Sequence, residues 1–416
     1  MKGRVSRRDF LRAVSAGTCG AAIHTLTSPY ENMVALAQGA GNGRVFVLVN
    51  LAGGCSHNIV PIYHGAYRDE NPTISYSEAD SLPLNAEQGL HPSLTALKAC
   101  WDTGRLAVCN LVGYPNPNRS HDESTDIWHR GTRLMGASNG GWGARLTCQM
   151  NSIFGGVSLG GSNVLITGDC NPPRAFASLD QNAFGERGIS GASSRDQAFL
   201  RITRDQMNID SAPPPAADNY WYVRTQADNL AASLTTIKNA TNQPLPDISP
   251  ITFPNTGFGR ACQNAARLLQ ATAIGTQFIY LQDGGYDTHA GERTALANNL
   301  TRVNGGLNAL IATAFALGRW QDLVIVTMTE FCRTFENGSQ GTDHGHAGPV
   351  LIAGGAVNGG IYAPAPTPAE TTSQGYYHNY HIDFRGIFHE VIQFLGYDPG
   401  PVFPEAFSYT RLGILG

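Results

Sequence analysis

The sequence predicts an α/β fold: a mostly parallel β-sheet with helices on both faces. Two observations carry this. Apolar runs rich in Val, Ile and Leu recur along the chain, and segments with helical spacing separate them. Strands buried on both faces read as unbroken apolar runs, whereas a strand with one wet face would alternate.

The elements follow in order. Residues 1–37 read as a twin-arginine signal. Ser6-Arg7-Arg8-Asp9-Phe10-Leu11-Arg12 precedes a mildly apolar stretch, Ala13 to Ile23, and Ala35-Leu36-Ala37 reads as the cleavage site. That stretch is too short and too rich in Gly, Ser and Thr for a membrane span. The remainder, 38–416, reads as one large domain, with a helical insertion near 195–258 bounded by the Pro-rich segments Ser211–Pro215 and Pro244–Pro254. Arg44–Leu51 (RVFVLVNL) is the first buried strand. Pro92–Trp101 is helical and leads into the strand Arg105–Val112, and His121–Leu134 is helical again. Asn163–Thr167 reads as a strand and 195–240 as mainly helical. Gly259–Ile274 is a helix before the strand Thr276–Leu281, and Ala290–Leu317 a long helix before Asp322–Met328. Val350–Ala353 is a short strand, and Asp383–Leu395 closes the chain as a helix.

Composition narrows the partners. The whole chain carries a formal charge of −4, and removal of residues 1–37, with five basic and two acidic side chains, leaves −7. With no basic cluster remaining, nucleic acid and anionic membrane are excluded as expected partners. The translocase that reads the signal is an expected partner during export, and the expected location is the periplasm. Seven cysteines follow the signal: 55, 100, 109, 148, 170, 262 and 332. An oxidising compartment favours disulfides. Cys100 with Cys109 and Cys148 with Cys170 are near enough in sequence to pair, although spacing does not fix connectivity. No Cys/His spacing suggests a structural zinc knuckle.

In open α/β sheets ligands collect beyond the carboxyl ends of the strands. Just past the proposed strands lie Gly53-Gly54-Cys55-Ser56-His57-Asn58, then Arg119-Ser120-His121-Asp122-Glu123, then Asp287-Thr288-His289, then Glu330-Phe331-Cys332-Arg333. Shortly afterwards comes Asp343-His344-Gly345-His346. Asp and His recurring at one edge are the ligand set of zinc, manganese or a similar divalent ion. Asp343, His344 and His346 can fold around one cation or bridge two; an isolated Asp-His pair would read as a polar turn, but Asp287 and His289 after a neighbouring strand favour a metal. Ser120 and Glu123 fit the capping box S-x-x-E. A Ser at a helix start beside a metal also sits where an anion binds, so Ser120 is equally a candidate nucleophile, and His121 beside it is a candidate catalytic group. Arg119 and Arg333 read as holders of an anionic oxygen or as ordinary charges. Glu330 reads as a ligand, as a partner behind a ligating His, or as a salt bridge to Arg333. His378 or His381, in the aromatic YYHNYH loop, could complete a shell; His389 reads as packing. No G-x-S-x-G elbow is present, which argues against an α/β-hydrolase.

The segments LAGG…NIVP, GLHPSLTAL, GRLAVCNLVGYPNPNRSH, GGYDTH, VTMTEFCRT and GTDHGHAGPVLIAGG resemble those of an exported bacterial family, domain of unknown function 1501, in the alkaline phosphatase and sulfatase superfamily. The resemblance covers nearly everything after the signal. It implies a three-layer αβα sandwich, alkaline phosphatase-like, with a metal site at the carboxyl edge of the sheet. It implies that Asp343 and His344 form the late metal pair, with Asp287 and His289 a looser match to the earlier ligands and Ser120 the positional candidate for nucleophile. Two departures stand out. Relatives carry an Asp in the first loop, where this chain has none, so that either a ligand is lost or His57 or Asn58 replaces it. Relatives read EFGRT where this chain has Cys332. The expectation is a periplasmic metal-dependent hydrolase of phosphate or sulfate esters, small-molecule or glycan; the alternative is a non-catalytic metal- or glycan-binding envelope protein on the same fold.

Overall fold

A computed structural model describes residues 42–133, 140–168 except 153 and 162, 175–176, 239, and 241–416 except 378, 404 and 408. The signal, most of the 195–258 insertion, Cys170 and His378 lie outside the described residues.

Thirteen strands are described. They are β1 (Val45–Ala52), β2 (Leu82–Pro83), β3 (Gly89–Leu90), β4 (Leu106–Gly113), β5 (Gly156–Ser158), β6 (Ala175–Phe176), β7 (Phe278–Gly284), β8 (Leu323–Met328), β9 (Arg333–Glu336), β10 (Thr342–His344), β11 (Gly348–Gly354), β12 (Gly360–Tyr362) and β13 (Ile382–Asp383). The helices are α1 (Gly65–Asp69), α2 (Thr95–Asp102), α3 (His121–Arg130), α4 (Trp142–Thr147), α5 (Gly257–Gln270), α6 (Glu292–Ala316) and α7 (Phe384–Phe394).

The central sheet has the order β12-β4-β11-β8-β1-β7-β5-β6, with β13 also paired to β4. β1 pairs in parallel with both β7 and β8, and β5 with β7. β11 runs antiparallel to its neighbours β8 and β4. The sheet is therefore mixed but mostly parallel. β1 lies at its centre because all but the last of its side chains are buried, and burying each Val or Leu fully contributes about 1.5–3 kcal/mol.

Alternate residues of β1 enter different cores. Val45, Val47, Val49 and Leu51 pack with α2, α5 and α6. Phe46 and Leu48 pack with α3, α4 and α7. Since successive side chains on a strand point to opposite faces, the sheet is covered on both sides, and the three-layer αβα sandwich follows.

Three expectations are corrected. Asn163–Thr167 is not a strand; Val164–Ile166 form one turn of 3-10 helix. Cys100 and Cys109 do not pair: both are free and buried, and they belong to the cores on opposite faces of the sheet. The capping box at Ser120 does not form. Ser120 is the N-cap of α3 but makes no side-chain cap bond. Asn118 takes the place of Glu123 instead, accepting from the Ser120 N–H at 2.7 Å, and donates to the Glu123 carboxylate. Cys148 is disulfide-bonded.

Candidate metal centre

The parallel strands β1, β4, β7 and β8 end at one edge of the sheet. Because β11 runs the other way, the residues that precede it arrive at that same edge. His344 is thereby brought to meet His121, which follows β4, and Asp287, which follows β7. One ligand atom from each of these three residues lies within 4.8 Å of the other two.

The closest approaches define the group. His121 Nε2 is 3.0 Å from His344 Nε2, and Asp287 Oδ1 is 3.3 Å from His344 Nε2 and 3.5 Å from His121 Nε2. His289 adjoins from the solvent side, with its Nε2 2.9 Å from Asp287 Oδ1 and 3.1 Å from His344 Nε2.

The far side of each imidazole fixes its tautomer. His121 Nδ1 lies 2.7 Å from Glu330 Oε1, His289 Nδ1 lies 2.9 Å from Asp343 Oδ1, and His344 Nδ1 lies 2.8 Å from the Arg119 carbonyl oxygen. Carboxylate and carbonyl oxygens only accept, so each Nδ1 carries the proton. The Nε2 lone pairs of His121 and His344 and one Asp287 oxygen are left converging on the same space, with His289 Nε2 adjoining. Acceptors packed this closely repel one another unless a proton or a metal cation lies between them, and two imidazoles with a carboxylate form a donor set that suits a divalent transition metal.

The supporting shell is buried. Glu330 also accepts the Gly53 N–H at 2.8 Å. Arg333 is 2% exposed. Its Nη1 donates to Asp287 Oδ1 at 2.6 Å and to the Gly53 carbonyl at 3.2 Å. Burial alone would raise the Asp287 carboxyl, but the hydrogen bond and charge of Arg333, aided by His289 and His121, hold it below its ordinary value. Two glycines permit these approaches. Gly53 has φ +119°, and a Cβ there would sit 2.5 Å from the Asp287 nitrogen. At Gly341 a Cβ would meet the His289 carbonyl carbon at 2.2 Å.

Of the residues singled out in the sequence, Asp287, His289, His344 and Glu330 meet at this place. His121, expected as a catalytic group, stands among the ligand atoms. Asp343, expected as a ligand, instead holds His289 from behind. Arg333, expected to face an anion, is sealed inside against Asp287. His57 and His346 do not join. His57 is buried, its Nε2 is 3.1 Å from the Ala347 carbonyl, and burial pulls its pKa down to about 4 against that bond. His346 Nε2 accepts the Tyr114 N–H at 3.3 Å. Asn58 donates to Glu292. His381 pairs with Glu370 at 2.6 Å, and His389 Nδ1 is 2.7 Å from the Tyr409 hydroxyl. Ser120 and Arg119 are exposed beside His121, with the Arg119 guanidinium 4.9 Å from the Tyr376 ring centroid. Cys55 and Cys332 are buried, and burial pushes both thiols well up, which leaves no reactive thiolate there. Glu292 and Thr342 were missed; their only sequence signal was their position among the strand-end motifs.

An α/β sandwich with a His/Asp cluster at the carboxyl edge of its sheet is the class of protein defined here. The chain belongs to the family described as protein of unknown function (DUF1501), whose match spans residues 177–406, more than half of the sequence. No curated protein matches the sequence. Three similar solved structures are enzymes. PsFucS1 sulfatase from Pseudoalteromonas sp. shares 10% identity over 89% of this chain and 72% of that chain, with a TM-score of 0.36. Alkaline phosphatase from the Antarctic bacterium TAB5 shares 12% over 85% and 98%, with a TM-score of 0.33. Phosphonate monoester hydrolase SpPMH from Silicibacter pomeroyi shares 13% over 88% and 78%, with a TM-score of 0.29.

Proposed function

We propose that the protein is a metal-dependent hydrolase of phosphate or sulfate esters, exported to the periplasm by the twin-arginine route. The observation that carries the enzymatic reading is the convergence of the His121 and His344 Nε2 atoms and Asp287 Oδ1, each imidazole held by its Nδ1–H from behind. The location rests on the Ser6–Arg12 motif and the apolar run after it; among the described residues no helix is long and apolar enough to cross a membrane.

Zinc or manganese held by His121, Asp287 and His344 would supply Lewis acidity, polarising an ester oxygen and lowering the pKa of the attacking group. Ser120 is the candidate nucleophile. It is exposed at the start of the ten-residue helix α3, where free amides and the helix dipole favour an anion. Arg119, exposed beside it, is the cation available to the oxygens of a phosphate or sulfate, a role closed to the buried Arg333.

Protein loaded with zinc or manganese is expected to hydrolyse an aryl phosphate or an aryl sulfate, with turnover lost in Asp287→Ala and His344→Ala. Failure to take up either metal ends this reading. The first-loop sequence Gly53-Gly54-Cys55-Ser56, which brings no carboxylate to the edge, favours a second one: a non-catalytic protein that binds a metal or a glycan. Metal uptake with no turnover of either ester would support it.

A further inference from the structure

Behind the metal cluster lies a carboxylate that the reading above does not use. Glu292 is the first residue of the 25-residue helix α6 and is fully buried. Among the described residues, every hydrogen bond of its carboxylate comes from a donor. Asn58 Nδ2 donates to Oε1 at 3.1 Å, Thr288 Oγ1 donates to Oε2 at 3.2 Å, and the Thr342 hydroxyl donates to Oε2 as well. Such a set fits an ionised, acceptor-only group. Thr342 faces both ways: its Oγ1 accepts from Arg333 Nε at 3.2 Å, and its carbonyl accepts from Arg333 Nη2. Arg333 in turn donates to Asp287 Oδ1, the oxygen that faces the imidazoles.

The charges make this arrangement consequential. Arg333 places a full positive charge, with almost no water around it, against the one carboxylate oxygen of the cluster. Unopposed, it would repel a cation arriving at that oxygen, and the repulsion would be little screened. Glu292 supplies the opposing charge through a single hydroxyl. The turn between β9 and β10 fixes the geometry, since the Gln340 carbonyl accepts the Glu292 N–H at 2.8 Å and the Ser339 carbonyl accepts that of Gly291 at 3.2 Å.

We infer that Glu292 is a positioning residue for the metal centre: through Thr342 it holds Arg333 and offsets its charge, so that Asp287 Oδ1 can accept a divalent cation. The inference rests on the reading of His121, Asp287 and His344 as a metal site.

Zinc affinity is measured on the metal-free full chain by competition with a chromophoric chelator, for wild type, Glu292→Gln and Thr342→Val. Unfolding of each metal-free protein is followed in parallel. Glu292→Gln keeps the shape and removes the charge; Thr342→Val keeps both charges and removes the hydroxyl between them. The expected result is zinc binding weakened about tenfold to a hundredfold in each folded variant, the scale of loss when a group behind a metal ligand is removed. A purely structural role would lower unfolding midpoints without moving affinity. Should Glu292→Gln not fold, Thr342→Val alone decides. If wild type takes up neither zinc nor manganese, the metal reading and this inference fall together. If wild type binds zinc and the folded variants bind it equally well, only the inference falls.

Discussion

Glu330 stands behind His121 as a carboxylate commonly stands behind a ligating imidazole, accepting a hydrogen bond from the Nδ1–H and turning Nε2 toward the cluster. Glu330→Ala is therefore expected to weaken zinc binding about tenfold to a hundredfold, read by chelator competition; an unchanged affinity would mean that His121 is not a ligand. Arg333 tests a different energy. Arg333→Met breaks the ion pair with Asp287 and removes the cation that faces buried Glu292 across the Thr342 hydroxyl; loss of a hydrogen bond to a charged group costs about 1.5–3 kcal/mol. Urea unfolding of metal-free protein measures it, and a cost below about 1 kcal/mol would show the pair to be incidental. Residue types told part of this from the sequence alone. Asp287 and His344 stood out because carboxylates and imidazoles clustered beyond strand ends, and one of the three readings of Glu330 is the arrangement found. Side-chain direction was not legible. His57 and His346 carry the same ring as His344, but Ala347 and Tyr114 hold their nitrogens elsewhere. Nothing local in the sequence says that Asp343 sits behind His289 rather than beside the ion.

At the scale of elements, the site depends on loops that approach too closely for side chains. The Gly53 loop after β1 touches the Asp287 loop after β7, with φ +119° and no room for a Cβ. Gly53→Ala is expected to cost about 1–3 kcal/mol in backbone strain, with further loss from the clash, and to reduce metal uptake; a variant with wild-type midpoint and affinity would contradict this packing. The strands that frame the site were legible because β1, β4, β7 and β8 are long apolar runs buried on both faces. Short elements were not. Val164–Ile166 forms a 3-10 turn although its apolar run read as a strand, since three apolar residues carry no period that separates the two. The capping box at Ser120 failed for a local reason: Asn118, two residues earlier, satisfies the Ser120 N–H and holds Glu123. The antiparallel course of β11, which delivers His344 to the site, has no signature in its own residues.

At the scale of the molecule, burial among the described residues holds three histidines in the neutral form. Burial pulls His57, His91 and His129 down to about 4, against an ordinary value of 6.5. The unfolded chain takes up their protons first as pH falls. Their contribution to stability is thus intact above about pH 6.5 and is lost on the way down to about pH 4, at about 1.4 kcal/mol per pH unit for each. His129→Phe should reduce that slope by one proton while costing little at pH 7.5, because His129 Nε2 is buried without a hydrogen-bond partner. Urea unfolding between pH 7.5 and 4.5 checks this, and an unchanged slope would count against it. Sheet, layers and the edge that holds the site follow from the apolar pattern; the chemistry at that edge follows from acceptors that need a cation between them. Elemental analysis of the purified protein tests that need most directly. About one equivalent of zinc or manganese or more per chain is expected, and protein that carries none and takes up neither would contradict the metal centre.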